Sequence, residues 1–304
     1  MVNVKKTFKK NGGLTLLALP GIIWFLIFSY MPMFGIIIAF KKFNYKKGIF
    51  GSDWVGLKNF EYLFRSNDAF RILRNTILYN AAFIVIGTVC SIIIAILLDE
   101  IGKRRFIKFY QTTMFFPYFI SWVVVGYMAQ GLFSYDGGIL NAVLEFFGKE
   151  PVMWYVDKDV WPFALIIANL WKGLGYSTIM YYGSIMGIDN ELFEAAVIDG
   201  AGRLDKIFYI TLPMLKPTII VLFIMSIGNM LRADFGLFYY IPNNSGALYG
   251  VTDVIDTYIY RALKVTADME GSSAVSFFQS IVGFFLVLLA NSIIKKVDPD
   301  NSMF

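Results

Sequence analysis

The chain has 304 residues, of which 57% are hydrophobic and only 16% charged, with a net charge of +5. Soluble domains carry about 25% charged residues, so a lipid environment is the simpler account of this composition, and the 18% aromatic content fits Trp and Tyr gathered at membrane interfaces. No basic stripe interleaved with aromatics points to nucleic acid; the single cysteine, Cys90, excludes an intrachain disulfide, and the absence of histidine removes the commonest general base and zinc ligand.

In chain order, Lys5, Lys6, Lys9 and Lys10 precede an apolar stretch that runs to Phe40. That stretch is too long for a cleavable signal core of roughly 7–15 residues and reads as a retained first span. A helix needs roughly 20 apolar residues to cross a bilayer, and the uncharged runs predict six spans, at about 14–40, 75–98, 109–135, 160–183, 214–236 and 272–294. The fourth contains Lys172 and the fifth meets Arg232 and Asp234. Strand alternation is absent, so the expected fold class is an all-α integral membrane protein, a single domain over residues 1–304. Six spans put both termini on one side. The N-terminal lysines, the cluster Lys103, Arg104, Arg105 and Lys108, and Lys295 with Lys296 share that side, which the positive-inside rule makes cytoplasmic. The loop after the first span, with Lys41, Lys42, Lys46, Lys47, Lys58, Arg65, Arg71 and Arg74, opposes that assignment.

Between the fourth and fifth spans lies a loop over 189–213. Asp189 or Asn190 is placed to cap a short helix whose first turn carries Glu191 and Glu194, matching the helix dipole. Leu192, Phe193, Ala196 and Val197 give it an apolar side, Gly200 and Gly202 end it, and a second amphipathic helix follows with Leu204, Ile207, Phe208 and Leu212. Pro213 and Pro217 mark entry to the next span. Two short helices at an angle make a knob for a partner, or an interfacial pair that lies on the bilayer.

Glu194-Ala195-Ala196, three residues, Gly200, nine residues, Ile210, one residue, Leu212-Pro213 resembles the EAA loop of ABC importer permeases. Asp199 and Ala201 extend it into a form similar to the carbohydrate-uptake type 1 branch. Further similarity lies in Gly56-Leu57-x-Asn59-Phe60, Asn75-Thr76, Phe116-Pro117, Trp171-Lys172-Gly173 and Asp253-x-x-Asp256-Thr257-Tyr258. The resemblance implies the type I importer permease fold and a cytoplasmic coupling helix seated in a groove of an ATPase, with Glu194 near that interface and Gly200 permitting the turn. Both termini are then cytoplasmic, in a bacterial cell membrane, and the basic first loop is external. No Walker A sequence occurs in the chain, so ATP and magnesium belong to a separate ATPase. The implied partners are two ATPase subunits, a second homologous permease (a heterodimer being usual), and an extracytoplasmic solute-binding protein.

A substrate pathway is expected where polar groups enter the spans. Lys172 would sit roughly 18 Å deep at 1.5 Å per residue, and it either lines a cavity with Asn229, Arg232 and Asp234 or pairs with a counter-charge to hold helices together. Trp122, Tyr127, Trp171, Tyr176, Tyr181 and Tyr239 are candidates to stack on a pyranose. Gly183 and Gly187 suit close helix approach, and 238–249 reads as an external loop of turn residues. The external cations with Lys172 and Arg232 favour an anionic ligand, such as a uronate-containing oligosaccharide. Two other classes compete. An ion-coupled secondary sugar transporter would show internal repeats and midplane carboxylates. A membrane-embedded enzyme would need a carboxylate constellation, for which Asp253 and Asp256 are the weak candidates, since solvation on a helix surface explains them equally.

Overall fold

The computed structural model describes residues 12–299, which are mostly helical; Lys5, Lys6, Lys9 and Lys10 lie outside the described residues. Its longer helices in chain order are α1 (Gly12–Phe40), α2 (Asn67–Glu100), α3 (Arg104–Phe119), α4 (Trp122–Phe133), α5 (Ile139–Phe146), α6 (Trp161–Ile185), α7 (Asn190–Ile198), α8 (Arg203–Gly228), α9 (Phe235–Tyr240), α10 (Ile255–Lys264) and α11 (Met269–Val297). Four of them, α1, α2, α8 and α11, are long and apolar enough to cross a membrane, and α3 with α4 makes a fifth if the bent pair is one span. The 25-residue α6, expected as the fourth span, is long enough, but Asn169, Lys172 and the hydroxyl-bearing residues of its second half leave it less apolar.

By internal contacts the chain divides into two compact units, one made of the chain up to Arg65 with Ala262–Phe278, the other of Ser66–Arg261 with the chain from Gln279 on. In the first unit, strands β1 (Lys41–Lys42) and β2 (Asp53–Trp54) pair antiparallel, with Lys41 opposite Trp54. The Asn59 amide donates to the carbonyls of Ala39 (3.0 Å) and Lys41 (2.9 Å), while Phe60 packs with Phe40 and Phe277 around Ala39 and Ala274. The Gly-Leu-x-Asn-Phe motif is thus a local fastening, with Gly56 at φ +62°. Lys41 is not an exposed cation: it is buried, its ammonium donating to Phe50 O at 2.8 Å and Ile49 O at 3.1 Å.

The second unit is organised on α2 packed along α6. α2 starts at Asn67, earlier than its apolar run, because the Ser66 side chain caps it and Asp68 pairs with Arg71 at 2.8 Å. At 1.5 Å per residue its 34 residues reach about 51 Å, longer than a hydrocarbon core of roughly 30 Å. The core gathers Tyr79, Val125, Trp161, Leu165, Phe238, Leu248 and Val254, and a second cluster joins Ala95, Tyr181, Ile185 and Leu215. Asn75 and Thr76 of α2 reach the later motif: Asn75 Nδ2 donates to Asp253 O (3.1 Å), and Thr76 Oγ1 accepts from Ile255 N (3.0 Å).

Several expectations change. The span at 109–135 is broken, α3 and α4 meeting at 94°; Pro117 supplies no N–H within the tight turn Phe116–Phe119, and Ser121 then caps α4. The span at 214–236 ends at Gly228, and a Cβ on Gly283 of α11 would lie 2.8 Å from the Gly228 carbonyl, a backbone approach only glycine permits. Asn229, Arg232 and Asp234 therefore sit in the break between α8 and α9, not on a helix. Gly183 has no atom within 4 Å of a Cβ position, so it is not a close-packing glycine within this chain. The segment 238–249 is folded into the core, with Ile241, Pro242 and Leu248 buried. Asp253 and Asp256 are not solvated: Asp253 accepts from Thr257 Oγ1 (2.6 Å) and Arg261, and Asp256 from Ala233 N (2.7 Å) and Gln279 Nε2 (3.2 Å).

Candidate functional site

Two features stand out, a knob between α6 and α8 and a polar cleft walled by α2, α6 and α8. The knob begins where the Asp189 carboxylate accepts the N–H of Glu191 at 3.0 Å, starting α7. It closes with paired bonds at the other end: Ala201 N donates to Ala196 O (2.8 Å) and Gly200 N to Val197 O (3.1 Å), with Gly200 at φ +80°. This is a Schellman turn, and it explains the spacing from Ala196 to Gly200 and Ala201 physically: the two bonds and the left-handed residue must fall at those positions. The Asp205 carboxylate then accepts Gly202 N at 2.8 Å and α8 begins.

Glu194, Ala195, Asp199, Gly200 and Pro213 are exposed, while Ala196, Ala201, Ile210 and Leu212 are half-buried. Apolar side chains are left uncovered beside them, Ile198 at 86% and Tyr209 at 79% exposure, with Val197, Leu204 and Phe208. An open groove of about 370 Å³ runs past Phe193, Glu194, Val197, Ile198 and Lys206. The expected second short helix does not exist as a separate piece. Its residues pass through a widened turn at Ile207–Thr211, just before Pro213, and continue as α8. The knob is therefore the end of a membrane helix, and α8 is joined to the last helix by Lys216–Asp298 at 2.6 Å and by the Gly228–Gly283 crossing.

The cleft, of about 470 Å³, is walled by α2, α6, α8 and the break that follows α8. Of the expected pathway residues it brings together Tyr176, Asn229 and Arg232, and also Tyr181. Tyr176 stacks on Tyr118 at 5.1 Å, Asn229 Nδ2 donates to Met225 O at 3.1 Å, and Arg232 Nη2 lies 3.5 Å from Ser280 Oγ.

The other expected residues lie elsewhere. Lys172 caps the α3–α4 break: its ammonium donates to the carbonyls of Pro117 (3.3 Å), Tyr118 (2.8 Å) and Ile120, over the Trp122 ring at 5.1 Å. Trp122 Nε1 donates to Asp234 Oδ2 at 2.6 Å, and Asp234 Oδ1 accepts Gly236 N at the start of α9. Trp171 borders a separate apolar cleft of about 620 Å³ with Phe163, Met128 and Phe133. Tyr127 is 69% exposed, and Tyr239 stacks on Phe235 at 4.8 Å. Sequence reasoning sought charges and rings and missed the cleft's amides and hydroxyls, Asn80, Ser91, Asn169, Ser177 and Ser226. The available signal was uncharged polar residues recurring inside apolar spans.

The family model for the binding-protein-dependent transport system inner membrane component matches residues 87–302, which include both knob and cleft. The polygalacturonan/rhamnogalacturonan transport system permease protein YteP of Bacillus subtilis (strain 168) is 40% identical over 283 residues, 93% of this chain and 88% of its own. Among solved structures, a bacterial ABC transporter involved in the import of the acidic polysaccharide alginate superposes with a TM-score of 0.87 at 32% identity, covering 97% of this chain and 99% of that one. The bacterial alginate ABC transporter in complex with an alginate pentasaccharide-bound periplasmic protein gives 0.85 at 32% identity, covering 96% and 97%. The chain belongs to the family of binding-protein-dependent transport system inner membrane components and is a multi-pass permease of the ABC transporter class.

Proposed function

We propose that this permease is the membrane subunit of an ATP-driven importer that carries acidic oligosaccharides, handed over by an extracytoplasmic binding protein, across the bacterial cytoplasmic membrane. The carrying observation is the knob, whose Schellman turn leads without interruption into α8, a helix that walls the polar cleft. In this reading Glu194, Ala195, Ala196, Asp199, Gly200, Ala201, Ile210, Leu212 and Pro213 form the surface that an ATPase grips. Closure of two ATPases, which hold ATP and magnesium, pushes α8 as a lever and displaces the cleft wall at Asn229 and Arg232. The exposed Ile198 and Tyr209 supply the apolar contact of that grip. Six crossings follow if α1, α2, the bent pair α3–α4, α6, α8 and α11 each traverse the bilayer. Both termini are then cytoplasmic, and a second homologous permease completes the pathway.

Support for a sugar comes from the cleft, where amides and hydroxyls face the stacked Tyr176. Support for an acidic one comes from Arg232 in its wall and from similarity to a polygalacturonan/rhamnogalacturonan permease and to an importer of the acidic polysaccharide alginate. The cleft wall holds no carboxylate among its described residues, which favours ATP over an ion gradient as the driving force. The test is uptake of a radiolabelled oligogalacturonate into proteoliposomes holding the assembled complex. Uptake is expected only with ATP on the ATPase side and binding protein on the other. Uptake driven by a proton or sodium gradient without ATP overturns the proposal.

A further inference from the structure

We infer that Arg232 is the group that reads the carboxylate of the transported sugar, and that Arg232, not Lys172, sets the preference for acidic over neutral oligosaccharide. The inference rests on the acidic-substrate reading above and names the residue responsible for it.

Arg232 is the one charged side chain among the described residues of the cleft wall. It forms none of the ion pairs found among the described residues, and its guanidinium reaches only the Ser280 hydroxyl, at 3.5 Å. Asp256, the acid bound to the same break, accepts Ala233 N and Gln279 Nε2 at Oδ2, and its charge acts on Arg232 without the two forming an ion pair. The Arg232 backbone is fastened, because Asn80 Nδ2 donates to its carbonyl at 3.0 Å and to that of Met230 at 2.9 Å. A held backbone with a guanidinium that makes no ion pair is suited to a carboxylate, which the planar fork grips with two parallel hydrogen bonds.

A second observation points to a ligand in the same place. Ser91 of α2 is fully buried, borders the cleft, and its hydroxyl has no hydrogen-bond partner. Buried hydroxyls are almost always paired, so one left open in a polar wall marks a position that a sugar hydroxyl completes. Asn229, Ser226 and Ser177 continue the polar wall, and Tyr176 offers a ring face. Lys172, the other cation of the spans, cannot serve: its ammonium is committed to three backbone carbonyls.

The experiment compares uptake of an oligogalacturonate with that of its carboxyl-reduced, neutral counterpart, using the assembled complex and the same binding protein throughout, so that the binding protein's own selectivity cancels. Arg232→Gln is expected to lower the acidic-to-neutral uptake ratio by about ten- to a hundredfold, the size of one charge-assisted pair. Arg232→Lys, which keeps charge without the fork, is expected to lower it severalfold, and it carries the test alone if Arg232→Gln fails to insert. Lys172→Gln is expected to reduce both substrates alike. An acidic-to-neutral ratio left at the wild-type value by the Arg232 variants overturns the inference while leaving acidic import standing. A wild-type complex that moves only the neutral sugar removes the acidic-substrate reading itself, and this inference with it.

Discussion

The break between α3 and α4 and the break between α8 and α9 pose the same physical problem, since each interrupts a helix in an apolar setting and frees backbone groups that lipid cannot satisfy. They are sealed with different materials. At the first, a cation does the sealing, the Lys172 ammonium taking the carbonyls of Pro117, Tyr118 and Ile120. At the second, neutral amides do most of it: Asn80 takes the carbonyls of Met230 and Arg232, Gln279 that of Leu231, and Asp256 accepts Ala233 N. The cation of the second break, Arg232, forms no ion pair, reaches a serine hydroxyl and faces the cleft. A charge inside a span is thus not in itself a substrate ligand; what matters is whether the fold has already used it.

The sharpest way to break this comparison is Lys172→Met. It leaves the Tyr118 and Ile120 carbonyls without a partner, while Pro117 O keeps the N–H of Ile120, and at about 1–3 kcal/mol for an orphaned buried acceptor the loss is expected to reach about 2 kcal/mol or more. A fall of many degrees in the thermal midpoint of the purified complex would register it, whereas an unchanged midpoint would show that Lys172 is not a seal. A smaller effect concerns Asp256. Burial lifts its carboxyl above the ordinary aspartate value, opposed by the hydrogen bonds from Ala233 and Gln279 and by Arg232. An acid whose folded value is raised contributes stability below its unfolded value of about 3.9, and that contribution is lost as pH rises through the raised one. The thermal midpoint is therefore expected to decline gently as pH rises from about 3.9 through the raised value and to level off beyond it, and Asp256→Asn to flatten this part of the profile. An identical decline in the variant would place its cause elsewhere.

The two regions also differ in how far they could be read from residues alone. The knob is local: a capping aspartate, an apolar side and a glycine in the left-handed region act within a dozen residues, and the structure uses Asp189 and Gly200 at those positions. The breaks are not local. Nothing uncharged and apolar between Lys108 and Asp136 announces a 94° bend except Pro117, and a proline inside a span is compatible with a continuous helix. The role of Lys172 depends on carbonyls more than fifty positions earlier in the chain, and the position of Arg232 depends on Gly228 meeting Gly283. The same distance effect hid Asn80 and Ser91, whose partners, or lack of them, exist only after α2, α6 and α8 have packed.

The central claim is that the knob transmits the ATPase stroke through α8, and Gly200→Pro tests it most directly. Proline holds φ near −65° and has no N–H, so it cannot occupy a position at φ +80° that donates to Val197 O. With the complex inserted and assembled, ATP hydrolysis is measured with and without loaded binding protein, beside uptake of the labelled oligosaccharide. Stimulation by the binding protein and uptake are both expected to fall at least about tenfold, since a turn with the wrong handedness and a missing bond costs roughly 1.4 kcal/mol or more. Stimulated hydrolysis and uptake at the wild-type level would mean that the knob merely rests on the membrane surface and that the stroke enters elsewhere.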